Sequence, residues 1–338
     1  MVSQTSDALT SAEIAAARLI GIDWGSTGLR SFIIGEGGVV IASAKAKLGA
    51  SSMQGKDAFA STFNACLGDW IVQLHQAGKK LPVLACGMVG SKHGWIDVPY
   101  VDCPANSHQI ARQLGAVADV PVSTALTLST DVYIVPGLLF NPIHAAPDVM
   151  RGEETQIVGA LNAYPVLHQE ACLVLPGTHS KWANVRQGSI LGFATHMTGE
   201  LFAVLSQYSV LGRLLTTDSD EHNSAAFIAG VEAARDHSQA GLTHQLFAVR
   251  SLGITEKLNG VELTDYLSGL LIGHELNAGL AWRTDAGLDS APLVLIGETA
   301  LCQRYQQALL NVEQTHSLVL PNTAPQGLWH IANAAQLV

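Results

Sequence analysis

Apolar and polar positions fall into two regimes along this chain, short buried runs and longer stretches at helical spacing. Apolar runs at 19–23, 29–35 and 38–45 read as strands. A helix follows over 55–77, where Phe59, Phe63, Cys66, Leu67, Trp70, Ile71 and Leu74 form one stripe. Residues 82–86 and 132–136 predict short buried strands and 107–117 a helix. A further helix begins after Arg151, carrying Ile157, Val158, Ala160 and Leu161.

The second half starts alike, with a strand at 172–175, a polar turn at 176–181 and strands at 182–186 and 190–195. A helical stretch over 197–283 intervenes before strand 292–296, helix 298–311, strand 317–320 and helix 325–336. Both halves therefore run strand-strand-strand-helix-strand-helix-strand-helix. Setting Gly25 on Gly177 overlays element order and glycine placement with little identity. The expected organisation is a tail at 1–17, a first lobe at 18–149 and a second lobe at 150–338 with a helical insert at about 197–283. Within the tail, Thr10 and Glu13 have capping-box spacing for a short helix.

Composition narrows the function classes. At 338 residues and 48% hydrophobic content, the chain can fill two cores, and wholesale disorder is excluded. Eighteen basic against 28 acidic residues give a formal net charge of −10, which disfavours nucleic acid and anionic membranes as partners. An anionic substrate then needs a local cationic pocket. The five cysteines are scattered without Cys-x-x-Cys spacing and read as buried thiols of a reducing compartment. No apolar run is long enough to span a bilayer, and residues 1–18, with Asp7 and Glu13, lack the form of a signal peptide. The expectation is a cytoplasmic protein.

Chemistry concentrates at the strand ends. Asp23, Gly25, Ser26 and Thr27 occupy the turn between the first two strands. Gly25 admits close backbone approach, Ser26 and Thr27 offer hydroxyls and N–H groups to phosphate oxygens, and Asp23 suits a hydrated Mg²⁺. The turn at 176–181 repeats this logic with Gly177, Thr178 and Lys181 as a point charge, without a carboxylate matching Asp23. Walker-type, dinucleotide, Gly-x-Ser-x-Gly and His-Glu-x-x-His motifs are absent. Gly297, leaving a buried strand, admits a flat ring or ribose. Glu298 either bonds a ribose hydroxyl or is the acidic first-turn residue of a helix.

Three further segments stand out. Arg151, Glu153 and Glu154 begin a helix, with Glu154 placed 23 residues before Gly177. Adjacent acids suit a helix dipole, while Arg151 can clamp a carboxylate in bidentate fashion. The loop over 87–95 presents Met88, Ser91, Lys92, His93 and Trp95 beyond a strand end, where ligands are held. At 197–201, Glu200 offers a polar contact and Thr198 an N-cap.

Six segments occur in one order: Asp23-Trp-Gly-Ser-Thr27, Gly87-Met-Val-Gly-Ser91 with Gly94-Trp95, Met150-Arg-Gly-Glu-Glu-Thr-Gln156, Pro176-Gly-Thr-His179 with Lys181-Trp182, Met197-Thr-Gly-Glu-Leu201, and Leu267-Ser-Gly-Leu-Leu271. Together they resemble the 2-dehydro-3-deoxygalactonokinase family of actin-like sugar kinases, from about Ile20 onward. The resemblance implies an α/β fold of two actin-like (ribonuclease H-like) lobes around a nucleotide cleft. It implies ATP- and Mg²⁺-dependent phosphorylation of the 6-hydroxyl of 2-dehydro-3-deoxy-D-galactonate, a small-molecule sugar acid, in galactonate catabolism.

The same resemblance implies nucleotide binding by Gly25, Ser26, Thr27, Gly177, Thr178, Lys181, Gly297 and Glu298, with Asp23 as metal ligand. Met88, Ser91, Lys92, His93, Trp95, Arg151 and Glu200 are the expected substrate contacts. Glu154, preceding Thr155 as in the Asp-Thr pair of hexokinase-like enzymes, is the expected general base, with Glu153 the alternate. The chain departs from the superfamily pattern at Glu298, where a second glycine is more usual. The competing readings are a kinase for the gluconate-series epimer and an actin-like ATPase acting on a protein partner.

Overall fold

The computed structural model describes residues 8–123, 125–217, 221–313 and 317–338. Of the tail expected at 1–17, residues 1–7 lie outside the described ones. Its helix α1 (Ser11–Ala16) carries the capping box: Glu13 N donates to Thr10 Oγ1 at 3.3 Å and Thr10 N to the Glu13 carboxylate at 2.7 Å. The chain forms two compact units, one of residues 1–169, 186–192 and 322–338, the other of 170–185 and 193–321. Residues 150–169 and 322–338 thus pack with the first unit, across the 149/150 boundary that element order suggested.

The first unit is built on β1 (Leu19–Trp24), β2 (Leu29–Ile34), β3 (Val40–Ala46), α2 (Lys56–Gln76) and β4 (Val83–Gly87). It continues through β5 (Val101–Asp102), α3 (Ser107–Ala111), β6 (Gly115–Ser123), β7 (Leu128–Ile134), β8 (Leu138–Phe140), β9 (Asp148–Met150) and α4 (Glu153–Ala163). Its main sheet has the order β3-β2-β1-β4-β7-β6, with β1 parallel to β4 and antiparallel to β2. Ile20, Ile22 and Trp24 of β1 pack with Phe59, Phe63 and Trp70 of α2 in one core.

Two features of this unit differ from the sequence expectation. The helix expected over 107–117 ends at Ala111, and its remainder becomes the start of β6, paired antiparallel to β7 at the sheet edge. Asp119 and Pro121 mask strand character there, yet an edge strand tolerates both. The strands β5, β8 and β9 form a small separate sheet, and strands of two or three residues are too short for periodicity to register.

The second unit contains β10 (Glu170–Leu175), β11 (Ser180–Arg186) and β12 (Ser189–His196), the last two with their outer ends in the first unit. The helical stretch expected over 197–283 is four helices: α5 (Thr198–Tyr208), α6 (Ser224–Asp236), α7 (Leu242–Ile254) and α8 (Gly260–Asp285). Then come β13 (Leu293–Ile296), α9 (Thr299–Glu313) and β14 (Leu318–Leu320). The sheet order is β12-β11-β10-β13-β14, the same 3-2-1-4-5 arrangement that the first sheet has in β3-β2-β1-β4-β7. This duplicated order is the ribonuclease H-like topology of the actin-like fold. Among the described residues no helix is long and apolar enough to cross a membrane.

The last helix, α10 (Ala324–Ala334), packs on α4 backbone to backbone. A Cβ on Gly327 would lie 1.8 Å from Thr155 O, and one on Gly159 would lie 2.0 Å from Thr323 O. This contact fixes the start of α4. Gly327→Ala should therefore destabilise the protein by about 2 kcal/mol or more, although alanine favours a helix by roughly 1 kcal/mol. Gly68→Ala in α2, where a Cβ meets nothing within 4 Å, should stabilise it instead. Urea unfolding of both variants checks this, and equal shifts of one sign would contradict the packing.

Candidate active site

The first unit gathers its polar groups at the ends of β1 and β4. Gly25 N donates to Gly28 O at 2.9 Å, closing the hairpin. The carbonyls of Gly25 and Ser26 accept from Ala50 N at 2.9 Å and Ser51 N at 3.1 Å, and Trp24 Nε1 donates to Leu48 O at 2.9 Å. The loop is thus held from one side, leaving Ser26 and Thr27 exposed. Asp23 pairs with Arg30 on β2 and Cys86 on β4. Burial raises its pKa above the ordinary carboxylate value, partly offset by Arg30 and by Asn322 Nδ2, which donates to Oδ2 at 3.4 Å. Asn322 lies 299 residues away along the chain, so no local pattern pointed to it.

The start of α4 abuts the same floor. Gly87 has φ +93°, and a Cβ there would lie 2.6 Å from Trp24 O; Gly152 has φ +110°, and its Cβ would lie 3.2 Å from Gly87 Cα. Both positions demand glycine. Arg151 is buried. Its Nη2 donates to Val98 O at 2.7 Å and its guanidinium lies 4.3 Å over the Tyr100 ring, while Nε and Nη1 have no hydrogen-bond partner.

The two adjacent acids differ sharply. Glu154 has no exposed surface; its Oε2 accepts from Gly152 N at 2.7 Å and its Oε1 from Thr155 Oγ1 at 2.9 Å. Burial first, then the Glu153 charge, raise its pKa to about 7, against the hydrogen bonds that lower it. Glu153 is only half-buried, its Oε2 accepting from Arg151 N at 3.0 Å. Glu153 therefore keeps exposed surface, while Glu154, the acid preferred from its Thr155 neighbour, keeps none. Sequence alone could not see that the second acid turns inward.

The loop over 87–95 serves two ends. Trp95, expected to touch substrate, is buried at 3% exposure, with its ring 6.2 Å from both Trp24 and Phe59 and 5.7 Å from Phe63. It is a core residue, because Trp95 N donates to Val89 O at 2.8 Å and turns the loop back inward. Met88 is partly buried against the same core and Ser91 is half-buried, while Lys92 and His93 are exposed.

In the second unit, no heavy atom lies within 4 Å of a Cβ built on Gly177. The loop is braced by α5: Glu200 N donates to Thr178 O at 3.0 Å, Glu200 pairs with His179, and a Cβ on Gly199 would lie 2.4 Å from Gly177 O. Lys181, expected at the phosphates, is buried in β11, and its Nζ donates to Thr195 Oγ1 at 2.9 Å. Glu298, whose two readings stood open, accepts from Leu301 N at 2.8 Å as a cap of α9. Gly297, at φ +152°, takes a conformation suited to glycine. A cavity of about 320 Å³ opens beside Gly177, lined also by Gly199, Ser268, Arg304 and Tyr305.

A family model for 2-keto-3-deoxy-galactonokinase matches residues 23–331. The chain is 35% identical over 319 residues to the 2-dehydro-3-deoxygalactonokinase of Escherichia coli (strain K12), covering 94% of this chain and 98% of that one. A Rhizobium meliloti (strain 1021) protein provisionally given the same name is 34% identical over 289 residues, 85% of this chain and 87% of the relative. A crystal structure from Sinorhizobium meliloti, again provisionally so named, superposes with a TM-score of 0.76 at 30% identity over 94% of this chain and 98% of that one.

The raised Glu154 pKa carries a stability consequence. The folded state holds this proton more tightly than the unfolded chain, so the contribution is complete below the ordinary value of 4.5 and is lost as pH rises through about 7. Ionising Glu154 should cost up to about 3 kcal/mol by pH 8. Glu154→Gln should gain melting temperature relative to the parent between pH 5 and pH 8; a pH-independent difference would contradict a buried, protonatable Glu154.

Proposed function

Because the chain belongs to the 2-keto-3-deoxy-galactonokinase family, we propose that it is an ATP-dependent sugar-acid kinase phosphorylating the 6-hydroxyl of 2-dehydro-3-deoxy-D-galactonate in galactonate catabolism. The observation that carries this reading is the family match over residues 23–331, which spans every loop described above. The name shared by the relatives favours the galactonate-series acid over its gluconate epimer. Nothing comparable supports an ATPase that works on a protein partner. Five free thiols suit a reducing cytoplasm.

The residues of the first unit fit a hydrated Mg²⁺. Asp23 is a carboxylate whose charged form burial disfavours, so a nearby cation would stabilise it. Mg²⁺ keeps several waters and is held by one or two carboxylates, so Asp23 can serve with the phosphates themselves. When bound, the metal neutralises charge on the β- and γ-phosphates. Within the first unit, Ser26 and Thr27 offer hydroxyls and N–H groups suited to phosphate oxygens; within the second, the backbone N–H groups of Gly177 and Thr178 do the same, and the cavity beside Gly177 suits a nucleoside. Lys181 has no part at the phosphates in this reading, since its ammonium is engaged within the sheet.

At the acceptor end, Arg151 takes the substrate carboxylate. A buried guanidinium with two unpartnered nitrogens stands ready for charge-assisted hydrogen bonds. Exposed Lys92 adds positive charge and His93 a titratable group in the loop whose Gly90 packs beside Arg151 Nη1. Glu153 accepts the proton of the attacking hydroxyl, a contribution of roughly 10²–10⁴-fold for a positioned base.

Steady-state kinetics test both assignments. Arg151→Ala should raise KM for the sugar acid by about ten- to a hundredfold, the value of a charge-assisted pair, and leave KM for ATP alone. A change confined to the ATP parameter would move Arg151 to the nucleotide. Glu153→Gln should cut kcat about a hundredfold or more with substrate binding kept, whereas Glu154→Gln should retain more than roughly a tenth of the parent rate. The opposite ranking would return the base to Glu154.

A further inference from the structure

Glu275, in the middle of α8, is a buried carboxylate at 3% exposure for which the chemistry above has no use. Four donors converge on it. Ser180 Oγ at 2.6 Å and Trp182 Nε1 at 2.9 Å share Oε1; Tyr305 OH at 2.5 Å and Thr198 Oγ1 share Oε2. They come from three elements of the second unit, β11, α5 and α9. Ser180 ends the Gly177 loop and Trp182 follows it in β11. Thr198 is the first residue of α5, which braces that loop, and Tyr305 stands on α9. Gly177, Thr198 and Tyr305 all line the cavity of about 320 Å³.

We propose that Glu275 is a positioning residue that ties the Gly177 phosphate loop to the walls of the nucleoside cavity. This inference rests on the nucleotide reading of that cavity and loop. One helix of the insert thereby sets both surfaces that the second unit offers a nucleotide, so a bound nucleoside meets a phosphate loop already in place. Burial and the Glu275 carboxylate push the Tyr305 phenol well above its ordinary pKa, keeping it a donor. The first unit holds its own loop differently, through backbone bonds from Ala50 and Ser51. Leaving four buried donors without an acceptor is costly, whereas glutamine can serve most of them. The Trp182 N–H can only donate and keeps the amide oxygen, while the hydroxyls of Thr198 and Tyr305 can turn to accept from the amide nitrogen.

Calorimetric titration of ADP and of adenosine against the full chain, with KM for both substrates, tests the assignment. Glu275→Ala should lose tenfold or more in ADP affinity, and Glu275→Gln should recover to within threefold of the parent. Ser180→Ala cuts only the loop's tie, so it should weaken ADP at least threefold and leave adenosine unchanged. KM for the sugar acid should hold in all three variants. Unchanged ADP binding in folded Glu275→Ala would overturn the proposal. So would equal losses of ADP and adenosine in Ser180→Ala, which a merely structural hydroxyl would give. Should Glu275→Ala fail to fold, Ser180→Ala decides alone. A parent protein that binds neither ADP nor adenosine would instead overturn the nucleotide reading itself, before any variant is compared.

Discussion

Backbone-to-backbone contact at the ends of β1, β4 and α4 is the constraint from which the arrangement of Asp23, Arg151 and the α4 acids follows. Gly87 lies against Trp24 O and Gly152 against Gly87, with no room for a side chain between them. Asp23, Arg151 and the two acids of α4 are therefore held in one floor by main-chain geometry and not by long side chains. The other end of the constraint is the crossing of α4 by α10, where Gly159 and Gly327 again remove the Cβ atoms that would separate the helices. The returning C-terminal segment also delivers Asn322 to Asp23 and Thr323 Oγ1 to Gln156 O at 2.6 Å. Residues 322 and 323, far along the chain, thus help hold Asp23 and the start of α4.

The two sheets share the order of five strands yet hold the loop beyond the first strand differently. In the first unit the acid, Asp23, belongs to the strand that leads into the loop, where burial raises its pKa against the opposing effects of Arg30 and Asn322. The second loop lacks such an acid and is supported from below by Glu275 on α8. Each sheet places a glycine just beyond its first strand, while the buried carboxylate near it stands on that strand in the first unit and on α8 in the second. The insert of four helices is what makes the second solution possible, since α8 supplies the acid and α5 the brace.

The main strands along the chain, the glycine-bearing strand ends and the helical insert were legible because they depend on local periodicity and on residues with few alternatives. What periodicity could not carry was the direction of a side chain. Trp95 looked like a ligand contact because an indole in a polar loop is unusual, and only the fold reveals that the loop turns back into the core. Glu153 and Glu154 are equivalent as a pattern, yet about 100° of helix rotation buries one and leaves the other half-buried. Lys181 has the right charge near the right glycine, but alternation along β11 sends Ser180 and Trp182 to Glu275 and the lysine to the other face. β6 was hidden by Asp119 and Pro121, and Asn322 by its distance in sequence.

The central claim, transfer of a phosphoryl group from ATP to a sugar acid, is tested most directly by ADP release across a panel of acceptors. The panel should hold 2-dehydro-3-deoxy-D-galactonate, its gluconate-series epimer, and the neutral sugars galactose and glucose. ADP should appear one-for-one with the galactonate-series acid, should require Mg²⁺, and should accompany a phosphomonoester on C6 visible by phosphorus–proton correlation. ADP release that ignores the acceptor, or that proceeds as well with neutral sugars, would contradict it.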